Sequence, residues 1–401
     1  MDRESKIIWN PYTKGYFENP YLHLKECREQ NPIHKGVHNE WIFFRHEDIS
    51  TILRSNDLET SELSDYFKEK EPYIFKNSDA CPYLSKGTKK WTMYLNGEQH
   101  KDMRAVMGRS FKEFDLSVII KESIDILHQK YKHSRELDLV SYCSYFIFLV
   151  TEKLFGLTNY ESFEKVKKYS NMLAKSQDIY VPKQVYQEIN SWFLWGQNIF
   201  SDSTYKDNII SNGKQLGIEY SEEDIYSILS VSVMAAFETS KDNLTMALFE
   251  ILKESNLINF VLQNDTKRLN LLIEELFRFS SPLQYTIRVN KEPLEYNGIC
   301  IPANSKLYLC LASANRDPET FVNPDQIIPD RNPNEHLAFG GGNHFCLGAL
   351  ISRQEMRYCL KPMIEFLKDF TITDTQQITW ARQIFMRTVN SLKIESKVVA
   401  H

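Results

Sequence analysis

The chain has 401 residues, of which 42% are hydrophobic and 13% aromatic, so it has enough apolar material for a large core. Its formal net charge of −5 excludes a strong general attraction to nucleic acid. The seven cysteines are odd in number and irregularly spaced, which argues against a disulfide framework and favours a reducing cytoplasm. The first six residues are polar and no apolar run is long enough to span a bilayer, so neither a signal peptide nor a membrane anchor is expected.

The first half of the chain is predicted to be mostly helical. Residues 20–60 favour a helix followed by a short strand pair around 41–44, and residues 61–96 favour loops with short helices. Helical periodicity then dominates to about Asn259. The absence of a linker, low-complexity tract or repeat predicts one domain over residues 1–401.

A long helix is predicted from Ser221 to about Glu254. Ser221 is a good N-cap because three acidic residues follow it in the first helical turn. At 1.5 Å per residue, such a helix spans roughly 45 Å and crosses a whole domain. In its middle, the apolar run from Val233 ends in an acid and an alcohol, Glu238 and Thr239.

The last third of the chain mixes strands and one helix. Residues 288–311 carry strand signals, with a hairpin turn predicted at 296–298. A helix is predicted from Leu347, in which Pro362 should cause a kink or an early end. Short strands are expected over 372–399. The chain is therefore predicted to be mainly α with small β-sheets, not alternating α/β.

The run Phe339–Gly348 predicts a glycine-rich loop that brings Cys346 to the start of a helix. The helix dipole favours a thiolate there, and consecutive glycines allow close approach to a bulky, flat group. A dinucleotide fingerprint would need glycine where Phe345 stands, and a zinc site would need a second cysteine pair. The pattern therefore favours a haem ligated by one cysteine.

The pattern Phe-Gly-x-Gly-x-His-x-Cys-x-Gly resembles the haem-binding motif of the cytochrome P450 family, in the form of its soluble bacterial members. It is filled here by Phe339, Gly340, Gly342, His344, Cys346 and Gly348. Further family motifs extend the resemblance over most of residues 100–387. It implies a single-domain cytochrome P450 fold, in which haem b lies between a long central distal helix and the cysteine loop. It also implies that Cys346 is the axial iron ligand.

The resemblance further implies which residues bind the cofactor. His100 and Arg104 match a His-x-x-x-Arg motif whose spacing places both on one helix face. With Arg288 and His344, they would hold the two haem propionates. Phe339 belongs to the same cofactor-binding set.

Glu238 and Thr239 match the acid–alcohol pair of the family's distal helix, which helps to deliver protons to dioxygen. The alternative is that the Thr239 hydroxyl only bonds a carbonyl one turn back and bends the helix. The family usually has glycine where Ala236 stands, so this chain differs next to the proposed oxygen site.

Glu275 and Arg278 match the family's Glu-x-x-Arg pair, which is structural and binds a later arginine. The usual position of that arginine is occupied by Gln326, and Arg331 is predicted to substitute for it.

The resemblance implies a monooxygenase that hydroxylates, epoxidises or oxidatively couples a hydrophobic small molecule in bacterial secondary metabolism. No flavin or nicotinamide motif is present, so electrons would come from a ferredoxin or flavodoxin with its reductase. One set of cationic residues would bind that donor, unless they are ordinary solvated charges: Lys101, Arg109, Lys112, Arg353, Arg357 and Lys361. Apolar residues expected to line the substrate pocket include Tyr94, Trp192, Trp195, Phe237, Tyr285, Phe385 and Met386, although some of them belong to the core.

Two alternatives remain at this stage. A peroxide-driven peroxygenase would replace the acid–alcohol pair with an arginine, so Glu238 and Thr239 argue against it. A haem-free docking module of the same fold would not need Cys346, His100, Arg104 or Arg288.

Overall fold

Helices make up most of the described chain, and the strands form small sheets, as predicted. The computed structural model of the protein describes residues 7–37, 39–60, 63–76, 83–157, 163–179, 181–200, 203–373 and 378–397. The helices are α1 (Pro20–Gln30), α2 (His46–Arg54), α3 (Leu63–Ile74), α4 (Tyr83–Thr88), α5 (Gly97–Phe111), α6 (Leu116–Tyr131), α7 (Leu139–Phe155), α8 (Phe163–Lys175), α9 (Lys183–Gly196), α10 (Thr204–Gln215), α11 (Glu222–Lys253), α12 (Ser255–Gln263), α13 (Thr266–Ser280), α14 (Leu311–Ala314) and α15 (Ala349–Leu367). The strands are β1 (Ile33–Lys35), β2 (Trp41–Phe43), β3 (Leu58–Glu59), β4 (Glu136–Asp138), β5 (Thr286–Asn290), β6 (Leu294–Tyr296), β7 (Ile299–Ile301), β8 (Lys306–Leu309), β9 (Phe370–Ile372), β10 (Thr379–Trp380), β11 (Val389–Ser391) and β12 (Lys393–Ser396).

Contacts within the chain group these elements into two compact units. The first unit comprises Met1–Ser61, Gln263–Ala349 and Thr379–Asn390, and the second comprises the rest of the chain. The single domain over residues 1–401 stays a prediction. No described helix combines the length and apolar character that crossing a bilayer requires.

A five-stranded sheet in the order β1-β2-β8-β5-β3 organises the first unit. β2 and β8 run parallel, and the other neighbouring strands are antiparallel. This register places Arg288 in the middle of β5, opposite Leu307 of β8. The predicted turn between β6 and β7 is confirmed: Asn297 and Gly298 have φ angles of 51° and 75°, in the left-handed region.

The long helix α11 organises the second unit and packs against α7 and α8. Ser221 caps it as predicted, since its hydroxyl accepts from the Asp224 amide at 3.1 Å and its amide donates to the Asp224 carboxylate at 3.2 Å. The reciprocal bonds satisfy donors that a helix start otherwise leaves unpaired. With 32 residues, the helix is about 48 Å long.

Helix α15 corrects the expected start of the segment after Cys346 and the expected early end at Pro362, whereas the alternative of a kink at Pro362 stays a prediction. It begins at Ala349, two residues later than predicted, and it continues through Pro362 to Leu367. A proline inside a helix costs about 3 kcal/mol. The side chains of Leu360, Met363, Ile364 and Leu367 are fully buried on this helix, at about 1.5–3 kcal/mol each, and outweigh that cost.

Candidate functional site

The glycine-rich loop of the first unit is closed by backbone hydrogen bonds. The Cys346 amide donates to the Phe339 carbonyl at 2.9 Å, which ties the two ends of the motif together. Gly340 and Gly342 have φ angles of 68° and 62°, where a side chain is disfavoured. The loop thereby brings Phe339, His344 and Cys346 together.

The structure gives Gly342 a different role from the predicted one. A Cβ on Gly342 would lie 2.0 Å from the carbonyl oxygen of Leu53, in α2. This glycine therefore lets the loop pack on the protein's own backbone, and it is not explained by approach to a flat ligand. At Gly340 an added Cβ would meet nothing closer than the His344 carbonyl oxygen at 3.9 Å, so that side of the loop is open.

Cys346 presents an exposed thiol, outside any disulfide, just before α15. The amide of Ala349, the first residue of α15, donates to the Cys346 carbonyl at 3.3 Å. Of the other described cysteines, only Cys300 is exposed; the rest are buried. Burial raises the pKa of Cys27, Cys143 and Cys310 to about 12, so these thiols stay protonated at neutral pH. An accessible sulfur before a helix start is suited to metal ligation, whereas the buried ones are not.

Phe339 anchors the loop to α13. Its ring lies 4.7 Å from that of Phe277 and 6.2 Å from that of Phe345, measured between centroids. Phe277 is buried, while Phe345 remains 40% exposed. His344 ends the 3₁₀ turn Gly342–His344 and is partly buried.

Arg288 is a buried cation without a carboxylate partner. Its side chain is 4% exposed, and a terminal nitrogen donates to the Ile287 carbonyl at 2.8 Å. Among the described residues, no Asp or Glu forms an ion pair with it. Burial alone lowers the pKa of Arg288 to about 10, because no nearby anion compensates for the lost hydration.

This arrangement fits a bound anion. A buried charge is costly unless it is paired, so a protein normally supplies a carboxylate to a guanidinium in such a place. A haem propionate, which the motif resemblance implies, is a carboxylate of this kind. The exposed Cys346 thiol and the unpaired Arg288 guanidinium therefore suit a haem-thiolate cofactor.

His100 and Arg104 lie one turn apart on α5, in the second unit. His100 is 5% exposed and Arg104 is partly buried. Their shared helix face is as predicted from the i, i+4 spacing. Their role in binding propionate stays a prediction.

Glu238 and Thr239 lie on α11, also in the second unit. The Thr239 hydroxyl donates to the Ala235 carbonyl at 2.6 Å, which is the local bond that the sequence left open as an alternative. One oxygen of the Glu238 carboxylate, Oε2, accepts from the Lys241 ammonium at 2.8 Å. The relay role of the pair stays a prediction.

Sequence reasoning missed the charged residues that follow the pair. Lys241 is buried, and its ammonium lies 2.8 Å from Glu238 and 3.3 Å from Asp242. Burial lowers the pKa of Lys241, but the carboxylates of Asp242 and Glu238 outweigh that effect and raise it above its usual value. The i, i+3 spacing of Glu238 and Lys241 was the available signal, although such pairs usually lie on the surface.

A second buried acid, Glu355 of α15, also went unrecognised. Its carboxylate accepts from the Ser240 hydroxyl at 2.8 Å. Burial raises the pKa of Glu355 to about 7, and the Ser240 hydrogen bond opposes this only in part. A carboxyl group that titrates near neutral pH therefore lies against the residue that follows Thr239.

The Glu-x-x-Arg pair forms a buried network in the first unit, as predicted. Arg278 binds both oxygens of Glu275 at 2.8 Å, and Arg331 donates to the same carboxylate at 2.9 Å. The predicted substitution by Arg331 is thus confirmed. Gln326 contributes its backbone carbonyl, which accepts from Arg278 at 2.9 Å.

The predicted pocket residues divide between core and partly exposed positions. Phe237, Tyr285, Phe385 and Met386 are buried. Tyr94 is partly exposed, and its hydroxyl donates to Gln177 at 2.9 Å. Within the described ranges, no group of three His, Cys, Asp or Glu residues could hold a metal by protein ligands alone.

Comparisons with known proteins agree with the motifs. The family model described as Cytochrome P450 matches residues 196–394. The chain is 24% identical to the polyketide biosynthesis cytochrome P450 PksS of Bacillus subtilis, over 97% of this chain and 98% of that protein. It is 27% identical to cytochrome P450 119 of Sulfurisphaera tokodaii, over 88% of this chain and 93% of the relative. The solved structure of P450BioI in complex with an acyl carrier protein ligated to hexadec-9Z-enoic acid aligns with a TM-score of 0.82 at 22% identity, covering 95% of this chain and 98% of that one.

Proposed function

The chain belongs to the cytochrome P450 family of haem-thiolate monooxygenases, and we propose that it oxidises a hydrophobic small molecule of bacterial secondary metabolism. The reaction would be a hydroxylation, an epoxidation or an oxidative coupling. It would use dioxygen and two electrons from a ferredoxin or flavodoxin with its reductase.

The buried, unpaired guanidinium of Arg288 carries this proposal, because it needs an anion that the described residues do not supply. Arg288, His100, Arg104 and His344 would bind the propionates of haem b. Cys346 would ligate the iron from a loop that Phe339 anchors.

When bound, a thiolate-ligated haem supplies the redox chemistry that cleaves the O–O bond. The protein supplies proton transfer and positioning. Glu238 would carry protons toward the oxygen site, and the Thr239 hydroxyl would orient the receiving atoms. Because the Thr239 hydrogen is committed to the Ala235 carbonyl, Thr239 acts there as an acceptor unless its hydroxyl rotates.

Relatives support the substrate class. One relative is named for polyketide biosynthesis, and a solved structure of the same fold is a complex with a fatty acid carried by an acyl carrier protein. We propose a long-chain or polyketide-like substrate, either free or carried.

The direct test is oxygen incorporation. Purified holoenzyme is supplied with a ferredoxin, its reductase, NADPH and isotopically labelled dioxygen, together with a panel of fatty acids and polyketides. For a hydroxylation or an epoxidation, the expected result is one labelled oxygen atom in the product and the second in water. For an oxidative coupling, the expected result is an unlabelled coupled product with both labelled oxygen atoms in water. Product formation with peroxide alone, and none with ferredoxin, would instead indicate the peroxygenase. Purified protein that takes up no haem would indicate the docking module.

The set of cationic residues on α5, α15 and the segment after α5 would bind the electron donor. Lys112 is exposed and Arg353 partly exposed. Charge reversal at both positions should raise the apparent Km for an acidic ferredoxin by about tenfold, because electrostatic steering speeds association. Lys393→Glu, on β12, is the matched control. Equal Km values in the two variants would contradict the proposal that the cationic residues bind the electron donor.

We also propose a cytoplasmic location. None of the described cysteines is in a disulfide, which suits a reducing compartment.

A further inference from the structure

A buried cluster of three charges lies on α11, immediately after the proposed acid–alcohol pair. The ammonium of Lys241 lies between the carboxylates of Glu238 and Asp242, at 2.8 and 3.3 Å. All three side chains are at most 5% exposed. Two acids share one base, so these three residues carry a net negative charge.

The two oxygens of Glu238 have different surroundings. Oε2 accepts from Lys241, whereas Oε1 is buried and accepts no hydrogen bond from the described residues. A buried carboxylate oxygen without a donor is costly, and native structures keep such groups mainly where they have a function.

We infer that Lys241 is a positioning residue for proton transfer by Glu238: it holds Oε2 and leaves Oε1 as the proton-carrying atom. This inference rests on the proposed function. Because Lys241 holds Oε2, Oε1 is the oxygen of Glu238 that can accept a proton and pass it on. Asp242 holds the other side of the ammonium and keeps it charged.

Removing the ammonium changes this balance in a defined direction. In Lys241→Met, the buried carboxylate of Glu238 lacks the cation that Lys241 supplied, so we expect it to keep a proton at neutral pH. Losing that proton in the folded state is then unfavourable. The melting temperature of Lys241→Met should therefore fall, relative to that of the parent, as the pH rises from acid to neutral.

The helix contains a matched control pair. Lys253 donates to Glu250 at 2.8 Å with the same i, i+3 spacing, but the Lys253 side chain is 39% exposed. Lys253→Met should change the pH dependence of melting much less than Lys241→Met, because 15% of the Glu250 side chain is exposed to water, against 2% for Glu238.

Other ionisable groups near the cluster are few among the described residues. Cys143 on α7 interacts electrostatically with Asp242, and Glu355 on α15 binds Ser240. Tyr169 of α8 contacts α11 at Tyr226, and Lys86 of α4 pairs with Glu223; both contacts lie about four to five turns earlier on α11. Since Glu355 titrates in the same range, the melting series is repeated in a Glu355→Gln background.

The functional readout is hydrogen peroxide release without organic substrate, in which dioxygen takes up two electrons and two protons. Electrons come from a ferredoxin, its reductase and NADPH. Peroxide release should fall about tenfold or more in both Lys241→Met and Glu238→Gln, and the double variant should show no further loss. Lys253→Met should stay within about twofold of the parent.

A purely structural role for Lys241 predicts different rates of peroxide release. Folded Lys241→Met would then release peroxide as fast as Lys253→Met, or its loss would add to that of Glu238→Gln, and either result overturns the inference. If Lys241→Met does not fold, Lys241→Gln tests the same point, because it keeps a hydrogen-bond donor near Oε2 but removes the charge: peroxide release should again fall about tenfold, and release that matches the parent overturns the inference. A parent protein that binds haem but consumes no dioxygen would instead overturn the proposed function.

Discussion

Replacing Cys346 with alanine should abolish the absorption band of the reduced, carbon-monoxide-bound protein and reduce product formation to background. The reason is that this thiol is exposed at a loop closed by the Cys346–Phe339 backbone bond, whereas the other described cysteines, Cys300 excepted, are buried. The loop itself should survive, since the bond uses the amide and not the sulfur. The measurement is a carbon monoxide difference spectrum of the purified variant.

Cys300→Ala is the matched control. Cys300 is an exposed free thiol of the first unit, on β7, and nothing in the motif assigns it to the cofactor. It should retain the band and the activity. A band that persists in Cys346→Ala, or one that is lost in Cys300→Ala, would contradict ligation by Cys346.

Stability separates ligation from folding in this comparison. Both cysteines are exposed, so either substitution should change the free energy of unfolding of haem-free protein by no more than about 0.5 kcal/mol. Holoprotein should differ, because a bound cofactor stabilises only the folded state. Cys346→Ala should therefore lose the stabilisation that added haem gives to the parent.

Local patterns predicted the elements whose causes are local. Ser221 and the acids after it marked the start of α11, and the observed capping box is made by Ser221 and Asp224. Asn297 and Gly298 marked a hairpin turn because few other residues tolerate the left-handed backbone found there. Both features depend on a few neighbouring residues, so one sequence is enough to recognise them.

Pairing between distant segments was not predictable in the same way. β2 and β8 are parallel neighbours although they lie more than 260 residues apart in sequence, as the pairing of Trp41 with Leu307 shows. Helix α15 passes through Pro362 because Met363, Ile364 and other apolar residues bury themselves against the second unit. Such outcomes depend on tertiary packing, which a local propensity does not contain.

The candidate site shows the same limit. The motifs identified Cys346, Arg288 and Glu238 as residue types in a pattern, but burial decides what each group can do. Lys241 would be an unremarkable surface partner on an exposed helix, and it becomes a buried counter-ion because α11 is covered on this side. The sequence left open whether the Thr239 hydroxyl bonds a carbonyl one turn back, and the structure shows that it donates to the Ala235 carbonyl.

Arg278→Ala should lower the free energy of unfolding by about 3–5 kcal/mol, because it breaks a fully buried ion pair and leaves the partners of Arg278 without a donor. All five N–H donors of the guanidinium are used. They bind both Glu275 oxygens and the carbonyls of Asn315, Pro324 and Gln326, at 2.7–2.9 Å. Alanine would leave three buried carbonyls without this donor. Equilibrium urea unfolding of the variant measures the loss.

Helix α13 also carries a matched control, which is an arginine–carboxylate pair that is exposed instead of buried. Two guanidinium nitrogens of Arg268, on α13, donate to the Asp330 carboxylate at 3.1 and 2.5 Å, but about half of each side chain is exposed. Arg268→Ala should leave the free energy of unfolding close to that of the parent, since water replaces the lost partner. Equal losses in the two variants would show that burial does not set the contribution of Arg278.

Removing the Arg278 guanidinium should also weaken the cysteine loop, because the hydrogen bonds made by Arg278 continue into that loop. Arg278 donates to the carbonyl of Asn315, and the side chain of Asn315 accepts from the Leu337 amide at 2.7 Å. The Leu337 carbonyl in turn accepts from Gly340, in the loop, at 2.9 Å.

Arg278→Lys should keep the positive charge but not the planar set of guanidinium donors, so it should recover little of the stability lost in Arg278→Ala. Haem retention should fall in Arg278→Ala and Arg278→Lys but not in Arg268→Ala, and retention that is equal in all three would separate this network from the loop.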